Sequence, residues 1–224
     1  MRSTSRIEHS LTSIIGLAAL LLAGSIFLTD KLAALDSSPR IGVVHAEEVL
    51  PASSIRDLRT FSDFLVVVDV VGESNGVSSG GRGRDGYIPR TITVDAVRTE
   101  WTRMKNTRLT RSFELMVAGS VAHEGSTIPV SVNGCARPEL GKRYAVFMSV
   151  YGPDSIEQTS PCAFLELDAS SHIRFDTRFN APVPLKTFEG RMTTDLAHEL
   201  SLSLPYIDDR DLPAEARLAL VRGK

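Results

Sequence analysis

The sequence predicts a mainly β domain, either a sandwich or a small barrel, behind one N-terminal hydrophobic segment. An uncharged apolar run lies near the N-terminus, short β-branched runs alternate with turn-forming residues, and helical spacing is confined to the flanks of these runs. The chain has 224 residues, enough for one domain of ordinary size and extensions. Its net charge of −2 argues against a general nucleic-acid binder.

The N-terminal segment from Leu11 to Thr29 carries no charged residue. About 19 residues in a helix span about 28 Å, close to the thickness of a bilayer's hydrocarbon core. Two interpretations remain open: an uncleaved signal anchor that leaves the domain outside the cytoplasm, or a removable signal peptide. The length of the run favours the anchor. We therefore predict a short tail over 1–10, a transmembrane or signal segment over 11–29 and a linker over 30–52.

Residues 53–180 are predicted to form the β domain. Ser53 or Ser54 can cap a short helix that ends near Ser62. A Gly- and Ser-rich loop is predicted over 72–86, after the first strand. The strands are predicted from β-branched or alternating runs; they cover 64–71, 91–101, 113–117, 127–132, 143–151 and 163–167, with a further hairpin arm at 173–175.

Residues 181–224 are predicted to form a C-terminal helical extension. Thr193 or Thr194 can cap a helix that Pro205 ends, and Asp211 can cap a last helix. The leucines expected on one side of the first helix are Leu196, Leu200 and Leu204. Those expected to point inward from the second are Leu218 and Val221.

Cys135 and Cys162 are the only two cysteines of the chain. An even number of cysteines behind an export segment favours one disulfide, since thiols outside the cytoplasm are oxidised. The alternative is a pair of buried free thiols. If Cys135 were free, it would be the one candidate nucleophile that the sequence offers.

A basic stretch with one tryptophan connects the second and third predicted strands. Such a surface can contact anions such as lipid head groups, acidic polymers or an acidic partner protein. The alternative is a solvated hairpin that carries its charges without a partner. The candidate contact residues are Arg98, Trp101, Arg103, Lys105, Arg108 and Arg111.

Three short motifs lack the context that their chemistry needs. The Gly81 to Gly86 segment matches G-x-G-x-x-G, but strands flank it, whereas a dinucleotide site requires a following helix. His198-Glu199 begins a zinc motif that Leu202 interrupts. Ser120 lacks the second glycine of a nucleophile elbow. We therefore predict no catalytic residues, no metal site and no cofactor.

The spacing around the cysteines resembles that of a known family. Cys135 is followed by Gly141-Lys142-Arg143-Tyr144-Ala145-Val146-Phe147, and then by Thr159-Ser160-Pro161-Cys162. This series resembles the netrin-type, OB-like barrel of the tissue inhibitors of metalloproteinases, and most of all the bacterial secreted and surface proteins with that barrel. The resemblance covers roughly residues 53–204, and it implies a five- to six-stranded OB-like β-barrel with short flanking helices.

The same resemblance implies the fold more than the activity. The metalloproteinase inhibitors chelate the zinc of their target through a cysteine at the mature N-terminus, whereas the first cysteine here is Cys135. We expect an extracytoplasmic, membrane-anchored, non-catalytic binding or scaffolding module. Its expected partners are the membrane, through the N-terminal segment, and a surface protein or anionic polymer, but no nucleic acid and no small-molecule cofactor. The alternative is a secreted, metalloproteinase-inhibitor-like protein.

Overall fold

A computed structural model describes most of the domain. The described residues are 41–44, 50, 52–80, 85–104, 109–152, 155–179, 183–207 and 212–223. The predicted tail and membrane segment lie outside them. Among the described residues, no helix combines the length and the apolar composition needed to cross a membrane.

The described part of the chain contains nine strands in one sheet. The sheet order is β1-β5-β4-β3-β2-β6-β8-β9, and β7 pairs with β6 beside this path. All pairs are antiparallel except β1 with β5. The sheet curls into an open half-barrel, which confirms the mainly β prediction. The strands are β1 (Gly42–Val44), β2 (Phe64–Asn75), β3 (Gly86–Thr102), β4 (Ser112–His123), β5 (Ser126–Val132), β6 (Arg143–Gly152), β7 (Ser155–Gln158), β8 (Phe164–Leu167) and β9 (Ile173–Arg174).

Three short α-helices and one 3-10 helix flank the sheet. They are α1 (Ile55–Phe61), the 3-10 helix (Val183–Phe188), α2 (Thr193–Leu202) and α3 (Ala214–Arg222). Ser54 caps α1 as predicted, because its hydroxyl accepts a hydrogen bond from the backbone N–H of Asp57 at 3.0 Å. Met192, and not a threonine, occupies the cap position of α2. The hydroxyl of Thr193 instead donates to Glu100 on β3.

The first half of β2 is buried on both faces, and its sequence is therefore apolar at successive positions. Phe64 to Val68 are all fully or almost fully buried, so both faces of the strand contribute to the core. The same core contains Leu58 from α1 and Leu196 and Leu200 from α2. The helices are thereby packed against the sheet by the hydrophobic effect, and the C-terminal segment belongs to the core of the domain.

Part of the predicted linker belongs to the fold. Gly42–Val44 form β1, which pairs in parallel with the edge strand β5. Leu50 is completely buried in a second, smaller cluster with Phe61, Ala214 and Leu218. The linker prediction therefore does not hold at these positions, because pairing and burial are supplied by parts of the chain that are distant in sequence.

The α2 prediction was wrong at one leucine. Leu196 and Leu200 are buried, but Leu204 lies beyond the last helical residue and is exposed. Helical spacing no longer applies after Ser203, whose backbone is extended. The side chain of Leu204 therefore does not share the buried face of α2.

A bulge in β4 makes its glycine necessary. The pairing of β3 with β4 shifts between Ile88 and Arg90, which adds one residue to β4 around Gly119. A Cβ atom at Gly119 would overlap the carbonyl oxygen of Ile88. The two backbones can approach this closely only because position 119 has no side chain.

Candidate functional site

The two cysteines form the predicted disulfide. Cys135 and Cys162 are bonded, with their Cα atoms 4.8 Å apart. Cys135 follows β5, and its backbone N–H donates to Val132 O at 2.9 Å. The bridge ties this turn to the turn before β8. Since both sulfurs are bonded to each other, neither is a free thiolate, and the candidate nucleophile is removed.

The six predicted anion-contact residues do not form one exposed surface. Arg103 is buried in an ion pair, and Trp101 is buried in the main core. Arg98 is partly exposed, but its Nε lies 2.7 Å from Glu100 Oε1. Arg111 is exposed. The other two predicted residues, Lys105 and Arg108, lie outside the described residues.

Asp63 explains why Arg103 is buried. This carboxylate directly precedes β2 and accepts hydrogen bonds from Arg103 Nη2 at 2.6 Å, Arg217 Nη1 at 2.8 Å and the backbone N–H of Val150 at 2.8 Å. Arg217 also donates to the carbonyl oxygen of Phe61 at 2.8 Å. All three charged side chains are almost completely inaccessible to water. Burial raises the pKa of Asp63 to about 6, while Arg103 and the N–H of Val150 oppose the shift.

The sequence analysis missed this buried cluster. An aspartate before an apolar strand is an ordinary turn residue, and Arg217 lies within a polar-looking helix. No local pattern links positions 63, 103 and 217. The cluster holds α3 and the end of β3 against the start of β2, so its geometric role is structural.

An open cleft of about 750 Å³ lies on another part of the sheet. It is formed where the middle of β2 meets the start of β6 and the end of β8. Because β2 rises about 3.3 Å per residue, Asp69 lies about 20 Å along the strand from Asp63. The cleft is lined by Asp69, Val70, Val71, Leu140, Gly141, Lys142, Arg143, Leu167, Asp168 and Ala169.

The charges around this cleft are paired with one another. Arg143 forms a two-pronged contact with Asp69, at 2.6 and 2.9 Å, and its hydrogen bond lowers the pKa of that carboxyl. The Lys142 ammonium group bridges Glu139 and Glu166, at 2.9 and 3.1 Å. A ligand at this cleft would therefore have to compete with internal ion pairs for each of these charges.

Asp168 closes one side of the cleft through a turn. Its Oδ1 accepts hydrogen bonds from the backbone N–H groups of His172 and Ser170, and its Oδ2 pairs with Arg174 at 2.9 Å. The His172 N–H is the main cause that lowers the pKa of Asp168 to about 2, with help from Arg174 and Ser170. The carboxylate stays ionised at any physiological pH and fixes the turn between β8 and β9.

Two exposed aliphatic side chains, Val71 and Leu140, line the same cleft. None of the described residues that line it is a Cys, His, Ser or Thr. The cleft thus combines two apolar contact points with charges of both signs. Such a surface can take a polymer or an extended polypeptide segment that carries both apolar and polar groups.

The two sides of the half-barrel approach each other between β4 and β7. The side-chain amide of Gln158 on β7 donates to the carbonyl oxygen of Met116 on β4 at 2.8 Å. β4 pairs with β5 only along Ser120–His123, so its first half faces β7. Within the described residues, a side-chain contact and not a strand ladder joins β4 to β7.

No family model and no curated protein matches the chain. The described ranges also contain no group of three or more His, Cys, Asp or Glu side chains placed to hold a metal ion. The chain is a disulfide-bonded, mainly β half-barrel with short flanking helices.

Proposed function

We propose that this chain is an extracytoplasmic, membrane-anchored, non-catalytic binding or scaffolding module. The observation that carries the proposal is the Cys135–Cys162 disulfide in a domain that follows the uncharged segment 11–29. Disulfides persist outside the cytoplasm, where thiols are not kept reduced. A long apolar segment ahead of such a domain is typical of a signal anchor.

The two exposed aliphatic side chains of the cleft, Val71 and Leu140, support a binding role for that surface. In the proposed arrangement the membrane tether meets the domain at β1, which pairs with β5.

We also propose that the half-barrel is of the OB-like, netrin type. The contact between Met116 on β4 and Gln158 on β7 supports this, because it brings the two sides of the curled sheet together. The position of the disulfide, which ties the turn before β6 to the turn before β8, agrees with the cysteine spacing of that family.

The intact mass of the native protein tests the anchored, disulfide-bonded state. We expect full-length protein in the membrane fraction, lighter than its reduced form by two hydrogen atoms. A shortened, soluble species would contradict the anchor and would favour the secreted alternative. Its new first residue would then decide the inhibitor analogy, since zinc chelation by that family needs a cysteine there.

A crosslinking experiment tests the cleft. A photoreactive residue would replace Leu140 in the cleft or, as a matched control, Met116 on β4; the two side chains are 57% and 56% exposed. We expect a discrete adduct in intact cells from position 140 and none from position 116. Equal labelling from both positions, or none from either, would contradict a binding role for the cleft.

A further inference from the structure

The fold uses only one nitrogen of the Arg137 guanidinium group. Arg137 lies between β5 and β6. Its Nη1 donates to three backbone carbonyl oxygens, those of Ala118, Gly119 and Val130. The first two belong to the bulge of β4, where the ladder with β3 is interrupted, so Arg137 supplies a donor that the ladder lacks. The three contacts fix the orientation of the side chain.

The other edge of this guanidinium group has no protein partner. Within the described residues, Nε and Nη2 of Arg137 make no hydrogen bond, and neither belongs to the buried polar atoms that lack one, so both reach the solvent. The nearby carboxylates are engaged elsewhere: Glu73 pairs with Arg90, and Glu139 pairs with Lys142. Arg137 is therefore a half-buried cation that only carbonyl dipoles offset.

A second arginine lies beside Arg137. Arg90 Nη2 donates at 2.7 Å to the carbonyl oxygen of Pro138, the residue after Arg137. The Arg90 side chain is 3% exposed, and its Nη1 makes no hydrogen bond in the part of the chain that the structure describes. Burial lowers the pKa of Arg137, and the charge of Arg90 lowers it further, as expected for two close cations. Since Glu73 balances Arg90 alone, one positive charge remains.

We propose that the Nε–Nη2 edge of Arg137 binds a phosphate group. A planar guanidinium group donates two parallel hydrogen bonds to two phosphate oxygens. Because Nη1 already holds the side chain in place, little conformational entropy is lost on binding. A phosphate monoester carries about −1.5 to −2 charges near pH 7, so it gains more than a carboxylate from the positive potential. The phosphate group can belong to a lipid head group or to a soluble molecule.

NMR titration of the full-length chain in a non-ionic detergent tests the site. Inorganic phosphate or chloride is added at constant ionic strength, and the arginine Nε–Hε signals are followed. Arg222, on the exposed end of α3, is the control. We expect the Arg137 signal to saturate with a phosphate dissociation constant at least about tenfold below that of the Arg222 signal, since only Arg137 is held for a two-point contact. Equal responses of the two signals, or an equal effect of chloride, would overturn the proposal.

A lysine variant separates the planar guanidinium group from its charge. Arg137→Lys keeps a positive charge and a donor for the carbonyl oxygens of the bulge, but it cannot make two parallel hydrogen bonds. We expect the phosphate affinity, followed through the backbone N–H of Ala136, to fall about tenfold. Arg222→Lys should leave that affinity unchanged. An unchanged affinity in Arg137→Lys would also contradict the proposal, and the titration of the wild type does not require the variant to fold.

A short-chain phosphatidic acid distinguishes the two sources of the phosphate group. If this lipid shifts the Arg137 signal at lower concentration than inorganic phosphate does, the site takes a lipid head group. If inorganic phosphate is as effective or better, the site takes a soluble phosphate. Both results support the site, whereas no shift with either probe overturns it. Arg137 does not line the cleft, and the titration does not depend on the membrane anchor, so this outcome is independent of the function proposed above.

Discussion

Arg217 on α3 binds both oxygens of Asp63: its Nη1 lies 2.8 Å from Oδ1 and its Nη2 lies 2.9 Å from Oδ2. The two residues are 154 positions apart in the sequence. This pair, with Arg103, joins the last helix of the chain to the first long strand. Because all three side chains are buried, the cost of removing one charge depends on the charges that stay behind.

Substitutions in this buried cluster should lower the free energy of unfolding by different amounts. Asp63→Asn leaves Arg103 and Arg217 buried without a counter-charge and should destabilise the domain by about 3–5 kcal/mol. Arg217→Met should cost less, because Asp63 keeps Arg103 as its partner. Urea unfolding measures both, with Arg222→Met on the exposed end of α3 as the control. If Arg217→Met were the more damaging change, the contacts of α3 would outweigh the buried charge.

Loss of the disulfide should destabilise the domain without changing its fold. The cysteines are separated by 27 positions, and a loop of that size corresponds to about 3–4 kcal/mol in the chain-entropy model. We expect reduction to lower the urea midpoint of the wild type, and the double variant Cys135→Ser/Cys162→Ser to match the reduced protein. A double variant whose midpoint equals that of the oxidised wild type would show that the bridge contributes nothing.

Substitutions of the C-terminal leucines should lower the stability of the domain by very different amounts, depending on their burial. Leu196→Ala removes a fully buried side chain from the main core and should cost about 2–5 kcal/mol, through lost burial and a cavity. Leu204→Ala removes an exposed side chain and should change stability by less than about 0.5 kcal/mol. Thermal or urea unfolding of the two variants measures the difference. Equal effects would mean that α2 is not packed as described.

His123 should titrate at a raised pKa because of Asp85. The imidazole Nδ1 lies 2.7 Å from Asp85 Oδ2, and the hydrogen bond together with the charge of Asp85 raises the pKa of His123 above 6.5. Since the folded-state pKa is raised, the contribution to stability is complete below the unfolded pKa and is lost as pH rises through the folded pKa. NMR titration of the ring measures it, and Asp85→Asn should lower the pKa. An unchanged pKa in that variant would contradict the contact.

Much of the secondary structure could be predicted because it follows local rules. The α1 helix has its serine cap at position 54, and the core of β2 is a run of β-branched residues. By contrast, β1 and β7 were not predicted, since Gly42–Val44 and Ser155–Gln158 are short and become strands only through their partners β5 and β6. The lengths of β2 and β3 were underestimated for the same reason. Polar residues at their ends pair across the hairpin, where Arg90 Nη2 donates to Glu73 Oε2 at 2.6 Å.

The candidate site could not be predicted in the same way. Its lining comes from three separate segments, 69–71, 140–143 and 167–169, which only the sheet order of β2, β6 and β8 brings together. The basic stretch, in contrast, was visible in the sequence, but a count of charges does not reveal which of them are buried.

The sequence by itself determined the mainly β class, the pair of cysteines available for one bridge and the uncharged N-terminal run, because strand propensity, cysteine number and hydropathy are properties of short segments. Only the tertiary structure decided the environment of each charge and leucine. Arg103 and Arg217 lie inside the protein because one distant carboxylate, Asp63, pairs with both. Leu204 is exposed because none of the described segments packs over it. Burial and pairing depend on contacts between distant parts of the chain, and local patterns do not encode them.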